Sequence, residues 1–449
     1  MNPECFARYA SSNVPRYTSY PTAPAFSAAV GERDYRQWLG SIAPGTGVSL
    51  YVHVPFCRSM CLYCGCHTTV SARDEPIERY MNALDREIDL VTAATPPGLA
   101  VRHLHFGGGS PTLIQPGRML ALIERLKRAF AFAPDAEIAI EVDPRTLSSE
   151  MTAALGASGF NRASIGVQCF DPVVQRAINR IQTVEETATA VRSLRESGVE
   201  GINVDLIYGL PHQTVASCLD TVEQALRMEP GRFAVFGYAH VPQFKKHQRK
   251  IDSAALPGFA ERLEQSRAVA EALTAEGYVE IGLDHFARAD DPLARAFQAN
   301  TMHRNFQGYT TDAAEVLIGL GSSAIGRTPS GYAQNTVLIS DYLARVAEGR
   351  LPVARGYALS PEDKVRAAVI ERIMCDRKVD LAAVCGPFGW DPERLIDRRH
   401  LGELVSDGLV EERGPVIEVT APAFPLVRSV AAAFDAYLND NAGRYSRAV

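Results

Sequence analysis

Residues 48–70 read VSLYVHVPFCRSMCLYCGCHTTV, an apolar strand pattern that runs straight into four cysteines. The alternation and β-branched content of VSLYVHV predict a strand over 48–54. Cys57, Cys61, Cys64 and Cys66 follow with the spacing C-x3-C-x2-C-x-C. They are too close together to pair as disulfides, and the nine cysteines of the chain are an odd number. Reduced thiolates holding a metal account for the pattern. Iron–sulfur clusters are ligated by thiolates, and a short loop lets Cys57, Cys61 and Cys64 converge on one [4Fe–4S] cube with its fourth iron open to a small molecule. Zinc is the alternative, but structural zinc takes two knuckles separated by about a dozen residues or more. Cys169, Cys218, Cys375 and Cys385 stand singly and supply no second knuckle.

From this strand a strand–helix rhythm runs outward. Further strand patterns occupy 101–106, 136–142, 161–167, 202–208 and 232–239, with helical periodicity at 77–92, 115–130, 183–198 and 215–228. Short strands alternating with helices imply an α/β fold with a parallel sheet. Polar residues at the C-terminal ends of these strands point to a partial (β/α) TIM-like barrel with its site at that rim. An open doubly wound sheet is the alternative that periodicity alone leaves in place. The alternation fades after about residue 290, and 296–330 reads as irregular.

The expected domains are an extended, proline-punctuated arm over 1–45, a barrel with an extension over 46–355, and a mainly helical domain over 356–449. The last domain contains a hairpin at 409–419, turned at Arg413-Gly414, and a final helix near 424–438, an arrangement like a winged helix. It carries 12 Lys/Arg against 15 Asp/Glu, whereas a DNA reader is basic, so a lid or packing module is expected. The whole chain has a net charge of -6, which argues against a nucleic-acid or anionic-membrane partner. No signal peptide and no membrane-spanning apolar run is evident, and a cytoplasmic protein is expected.

Several other residues stand where a site is expected. HFGGGSPTL (105–113) ends the second strand, and its glycines permit a ligand to approach the backbone. Glu141, Gln168 and Asp205 follow along the third, fourth and fifth strands. An acid such as Asp205 within an apolar strand needs a partner, and Arg180 is one candidate. Tyr63, just before the third cysteine, either lines a cofactor pocket or packs in the core.

C-x3-C-x2-C with an aromatic before its last cysteine resembles the radical S-adenosylmethionine (SAM) superfamily. PRYTSYPTA (15–23), LYVHVPFC, CGC, GGGSPT, EVDPR, INRIQ, DLIYGLP, YAHVP, DHFAR and HRNFQGYTT (303–311) extend the resemblance to the oxygen-independent coproporphyrinogen III oxidases over nearly the whole chain. Haem chaperones of the superfamily lack the Cys66 equivalent and the PRYTSYPT arm. A methyltransferase or haem-opening enzyme would differ in its product.

The resemblance implies oxidative decarboxylation of the ring A and B propionates of coproporphyrinogen III, giving protoporphyrinogen IX in anaerobic haem biosynthesis. It implies a [4Fe–4S] cluster on Cys57, Cys61 and Cys64, two SAM molecules, an external low-potential electron donor and a monomer. Gly108, Gly109 and Ser110 then hold the SAM amino group, and Tyr51, Glu141, Gln168, Arg180 and Asp205 contact the cluster-bound SAM. Gly109, Ala239 and Ile325 lie near the second, and Cys66 belongs to the cofactor site without ligating. A substrate with four carboxylates calls for cations, for which Arg16, Arg288 and Arg304 are candidates. Cys169 departs from the acid the family carries there, and Lys245-Lys246-His247 reads as a solvated loop.

Overall fold

Each of the six strand patterns forms a strand, and consecutive ones lie side by side. These are β1 (Gly47–Val54), β2 (Ala100–Gly108), β3 (Ala131–Val142), β4 (Arg162–Gln168), β5 (Gly201–Tyr208) and β6 (Arg232–Gly237). All five neighbouring pairs are parallel. A doubly wound sheet reverses its strand order at a switch point. Here the order from β1 to β6 never reverses, which decides against the doubly wound alternative and fits a partial barrel.

The computed structural model describes residues 3–438. Contacts divide the chain into two units, one of Ser27–Glu276 with Ala314–Ala358, the other of Met1–Phe26, Gly277–Ala313 and Leu359–Val449. The expected arm is thus shared between them.

In the barrel unit, helices Glu75–Ala94, Pro116–Ala129, Val184–Glu196 and Val215–Leu226 lie within two residues of the expected bounds. Helix Val184–Glu196 shows why. Thr183 Oγ1 accepts from Glu186 N (3.0 Å) and Glu186 Oε2 accepts from Thr183 N (2.8 Å), a capping box. Thr187, Ala190, Val191 and Leu194 then recur on one buried face. In β5 the helix-covered face holds Ile202, Val204 and Leu206, so Asn203 and Asp205 project from the other.

Segment 296–330 departs from the expected irregularity. It contains β7 (Val316–Leu320), which pairs in parallel with β1 from Val48↔Val316 to Val52↔Leu320. All five residues are buried, so the strand has no polar face to alternate. Antiparallel strands β8 (Ile325–Thr328), β9 (Gly331–Asn335) and β10 (Val353–Ala358) continue that edge.

Glu87, 1% exposed, holds this late segment to helix Glu75–Ala94. It accepts from Gly321 N (2.7 Å), Asn335 Nδ2 (2.6 Å) and Tyr342 Oη (2.7 Å). Burial raises its pKa to about 7 against these bonds. A raised carboxyl pKa means that the folded state binds more protons than the unfolded chain between the two values. Glu87 therefore stabilises the fold less and less as pH rises from its unfolded value to about 7. Melting midpoints measured from pH 5 to 8 are expected to fall relative to those of Glu87→Gln. A constant difference between the two proteins would show that Glu87 does not titrate there.

In the second unit, the predicted hairpin forms from Val410–Arg413 and Val416–Val419, and Lys378–Asp380 adds a third strand. The final helix is shorter than expected. Helix Val427–Ala431 lies between 3-10 turns Ala421–Leu426 and Ala432–Phe434, and Pro425 supplies no N–H for an earlier start. Residues 439–449 of the expected C-terminal domain lie outside the described residues. Arg428 Nε donates to Pro15 O (2.9 Å), Tyr17 Oη to Asp435 Oδ2 (3.0 Å) and Ala436 N to Tyr20 Oη (2.9 Å), which ties the start of the arm to this unit.

Candidate active site

β1 delivers the cysteines to the C-terminal edge of the parallel sheet. Phe56–Cys57 forms a two-residue strand beside Thr69–Val70. Thr69 N donates to Pro55 O (2.7 Å) and Ser71 N to Cys57 O (2.9 Å), so the loop closes at its base. The glycine turn after β2 is bonded against it, Gly109 N donating to Val54 O (2.8 Å) and Ser110 N to Phe56 O (2.7 Å). Ser110 Oγ lies 3.8 Å from Cys57 Sγ. Gly108, at φ +116, packs so close to the His53 ring that a Cβ would stand 2.6 Å from it.

Cys61 Sγ faces two guanidiniums, Arg145 Nη2 and Arg180 Nη1, each at 3.6 Å. Asp143 joins them, accepting from Arg145 Nη2 (2.6 Å) and Arg180 Nη2 (3.4 Å). Burial would raise the Asp143 carboxyl, but the two arginines hold it below the usual range. Arg180 is 5% exposed, and its Nε has no hydrogen-bond partner among the described residues. The pairing considered for Arg180 and Asp205 is not the one formed. Asp205 accepts from Ser164 Oγ and Asn203 Nδ2, both at 2.8 Å, because these side chains share its face of β4 and β5.

Register places Tyr51 beside His105, and the rings stack at 5.9 Å. Tyr51 Oη lies 3.0 Å from His53 Nδ1, while His105 Nε2 stands 3.5 Å from Glu141 Oε1. Glu141 Oε2 accepts from Gly108 N (3.0 Å). Burial opposes its ionisation, yet His105 and this N–H hold the carboxyl below its ordinary pKa. Gln168 ends β4 at φ +68, a backbone conformation uncommon for a residue with a Cβ.

Gln248 Nε2 donates to both Tyr63 O (3.0 Å) and Ala239 O (3.3 Å), which brings the residue after β6 to the cysteine loop. Tyr63 packs against the buried cluster of Cys169, Val174, Ile178, Leu210, Tyr238 and Ile251. Ile325 is reached through β7, since a Cβ on Gly319, the register partner of Tyr51, would stand 2.7 Å from its carbonyl carbon. Cys66 is exposed, and its N–H donates to Cys64 Sγ (3.4 Å).

Among the substrate candidates, Arg304 is 9% exposed, donates from Nε and Nη2 to Arg16 O (3.3 Å each), and lies over the Tyr309 ring. Its Nη1 has no hydrogen-bond partner among the described residues. Arg16 is exposed, and Arg288 is an exposed residue with Nε 3.8 Å from Asp290. Sequence reasoning passed over His53, His105, Asp143 and Arg145. Strand alternation puts His53 on the face of Tyr51, and EVDPR carries Asp143 and Arg145, so these three had a readable signal.

The donor set suits a cluster held by three thiolates, with cations on one sulfur and a backbone cradle beside another. Among the described residues no three His, Cys, Asp or Glu side chains are gathered to hold a single metal ion. A cube ligated by one cysteine per iron does not require them to be.

Residues 51–225 match the radical SAM superfamily. The chain is 52% identical over 450 residues to an oxygen-independent coproporphyrinogen III oxidase of Bradyrhizobium diazoefficiens, covering 100% of each chain. It is 40% identical to the Escherichia coli protein of the same name over 432 residues, 95% of this chain and 94% of the relative. The solved structure of coproporphyrinogen III oxidase (HemN) from Escherichia coli, described as a radical SAM enzyme, superimposes with a TM-score of 0.90 at 39% identity. That match covers 95% of this chain and 100% of the other.

Proposed function

The chain belongs to the oxygen-independent coproporphyrinogen III oxidases of the radical SAM superfamily, and on that premise we propose that it converts the ring A and ring B propionates of coproporphyrinogen III to vinyls. The product is protoporphyrinogen IX. When bound, a [4Fe–4S] cluster held by Cys57, Cys61 and Cys64, together with SAM, would supply the radical chemistry for each oxidative decarboxylation, which also requires an external acceptor for one substrate electron.

The supporting observation is the meeting of the cysteine loop with the glycine turn, where Glu141 and Gly108 are hydrogen-bonded and Arg145 and Arg180 face Cys61. Cys57, Cys61 and Cys64 hold the cluster. Gly108–Ser110 offers backbone to the SAM amino group, with Tyr51, Glu141, Gln168, Arg180 and Asp205 around the same molecule. Asp205 is fixed by Ser164 and Asn203, and Tyr51 by His53 and His105. Gly109, Ala239 and Ile325 take a second SAM, with Tyr63 and Cys66 beside the cluster. The unpartnered Nη1 of Arg304 favours that residue, with Arg16, as a carboxylate ligand, and Arg288 is assigned by charge alone. The protein works as a monomer in the cytoplasm with an external electron donor. No described helix is long and apolar enough to cross a membrane.

The test is anaerobic reconstitution with iron and sulfide, followed by incubation with SAM, coproporphyrinogen III and dithionite. Protoporphyrinogen IX by mass, with two CO2 released, is the expected result. SAM cleavage with no decarboxylated porphyrin would overturn the reading. Equilibrium dialysis of labelled SAM tests the second molecule, which requires two bound per chain.

A further inference from the structure

The segment 245–250, KKHQRK, behaves differently from the solvated loop its sequence implies. It follows β6 and lies directly on the cysteine loop. Lys245 Nζ donates to Cys66 O (3.0 Å), His247 Nε2 to Cys64 O (2.7 Å) and Gln248 Nε2 to Tyr63 O (3.0 Å). Gln248 is 1% exposed and anchors the segment. The remaining side chains turn outward, with Lys246, Arg249 and Lys250 all exposed. Phe244, beside them, is 60% exposed.

This is a local reversal of charge in a protein with a net charge of -6. No acid occurs between residues 241 and 251, and none of Lys246, Arg249 and Lys250 pairs with a carboxylate among the described residues. An exposed aromatic with a basic surround is the make-up of a protein contact, where the ring fills a pocket and the charges steer the encounter. Three hydrogen bonds join the inner face to the backbone of the loop that carries the cluster ligands. A carrier seated on the outer face would thus stand within one short segment of that loop.

Resting on the function proposed above, we infer that Phe244, Lys246, Arg249 and Lys250 form the docking surface for a small acidic one-electron carrier protein that reduces the cluster. The carrier is oxidised by one electron and the cluster takes it up; no bond forms or breaks and no atom moves. The contact is small and steered by charge, which suits a partner that must leave after each electron.

The experiment uses reconstituted holoenzyme and an acidic flavodoxin as the probe, with affinity measured by fluorescence anisotropy over a range of salt. Lys246→Glu combined with Lys250→Glu is expected to weaken binding at least ~10-fold at low ionic strength and to flatten its salt dependence. Phe244→Ala is expected to weaken binding while leaving the salt dependence intact. Cluster absorption, dithionite-driven turnover and affinity for coproporphyrin III should be unchanged in both variants. Flavodoxin affinity equal to wild type in these variants would overturn the inference. So would selective loss of coproporphyrin affinity, which would make the segment a carboxylate site. Failure of the wild type to turn over with dithionite would count against the proposed function instead.

Discussion

Cys57→Ala is expected to lose the visible sulfide-to-iron absorption and to make no protoporphyrinogen IX, whereas Cys66→Ala keeps both iron and sulfide. The two residues are only nine positions apart, so the contrast tests the ligand set directly. Cys57 ends the two-residue strand that follows β1, clamped by the bond from Ser71 N to its carbonyl and faced by Ser110 Oγ. Cys66 lies two residues past Cys64, is exposed, and contributes an N–H to Cys64 Sγ. Losing an outer partner of a metal site typically costs about 10–100-fold in affinity or activity, and losing a ligand should exceed that. The measurements are iron and sulfide content, the absorption spectrum and product mass after anaerobic reconstitution. Full iron content in Cys57→Ala, or its loss in Cys66→Ala, would mean that the fourth cysteine and not the first completes the triad.

Gly109→Ala is expected to disrupt the glycine turn against the cysteine loop. The added Cβ would stand 2.4 Å from Phe56 O, 2.7 Å from Phe56 C and 2.8 Å from Phe56 N. All three are backbone atoms, so no side chain can swing aside. The glycine turn and the strand leading to Cys57 must separate, which breaks the bonds Gly109 N to Val54 O and Ser110 N to Phe56 O. A loss of ~2–4 kcal/mol in stability is expected from overpacking and the broken bonds together. SAM binding measured by dialysis should disappear even where the protein remains folded. Gly117→Ala is the control, since nothing lies within 4 Å of its Cβ position at the start of helix Pro116–Ala129. Its melting point should be unchanged or slightly higher. Equal behaviour of the two variants would show that the turn is loose and does not press on β1.

Much of the barrel was legible because strands such as β4 and β5 alternate and the helices carry an apolar stripe. The periodicity over 183–198 marked a helix that the structure reproduces as Val184–Glu196, and Arg413-Gly414 marked the hairpin turn. β7 was not legible, because a five-residue strand buried on every side has no period to read. Its place beside β1 depends on Glu87, more than 200 residues earlier, which binds Gly321, Asn335 and Tyr342. In the same way, INRIQ and EVDPR each carry charge, but neither reveals that Arg180 and Arg145 share Asp143 and face one sulfur.

What the sequence determined by itself was local and chemical. The spacing C-x3-C-x2-C fixes which thiols can meet on a loop, since a few residues of chain cannot reach far. Alternation and capping fix which segments become strands or helices, since those signals act within a turn or a pleat. Tertiary structure alone decided the partners. It gave Asp205 to Ser164 and Asn203 instead of Arg180, placed His105 between Tyr51 and Glu141, and laid the basic segment 245–250 on the cysteine loop. Those outcomes depend on sheet register and on the closure of long loops, where a one-residue slip reverses every side chain and no nearby residue records the choice.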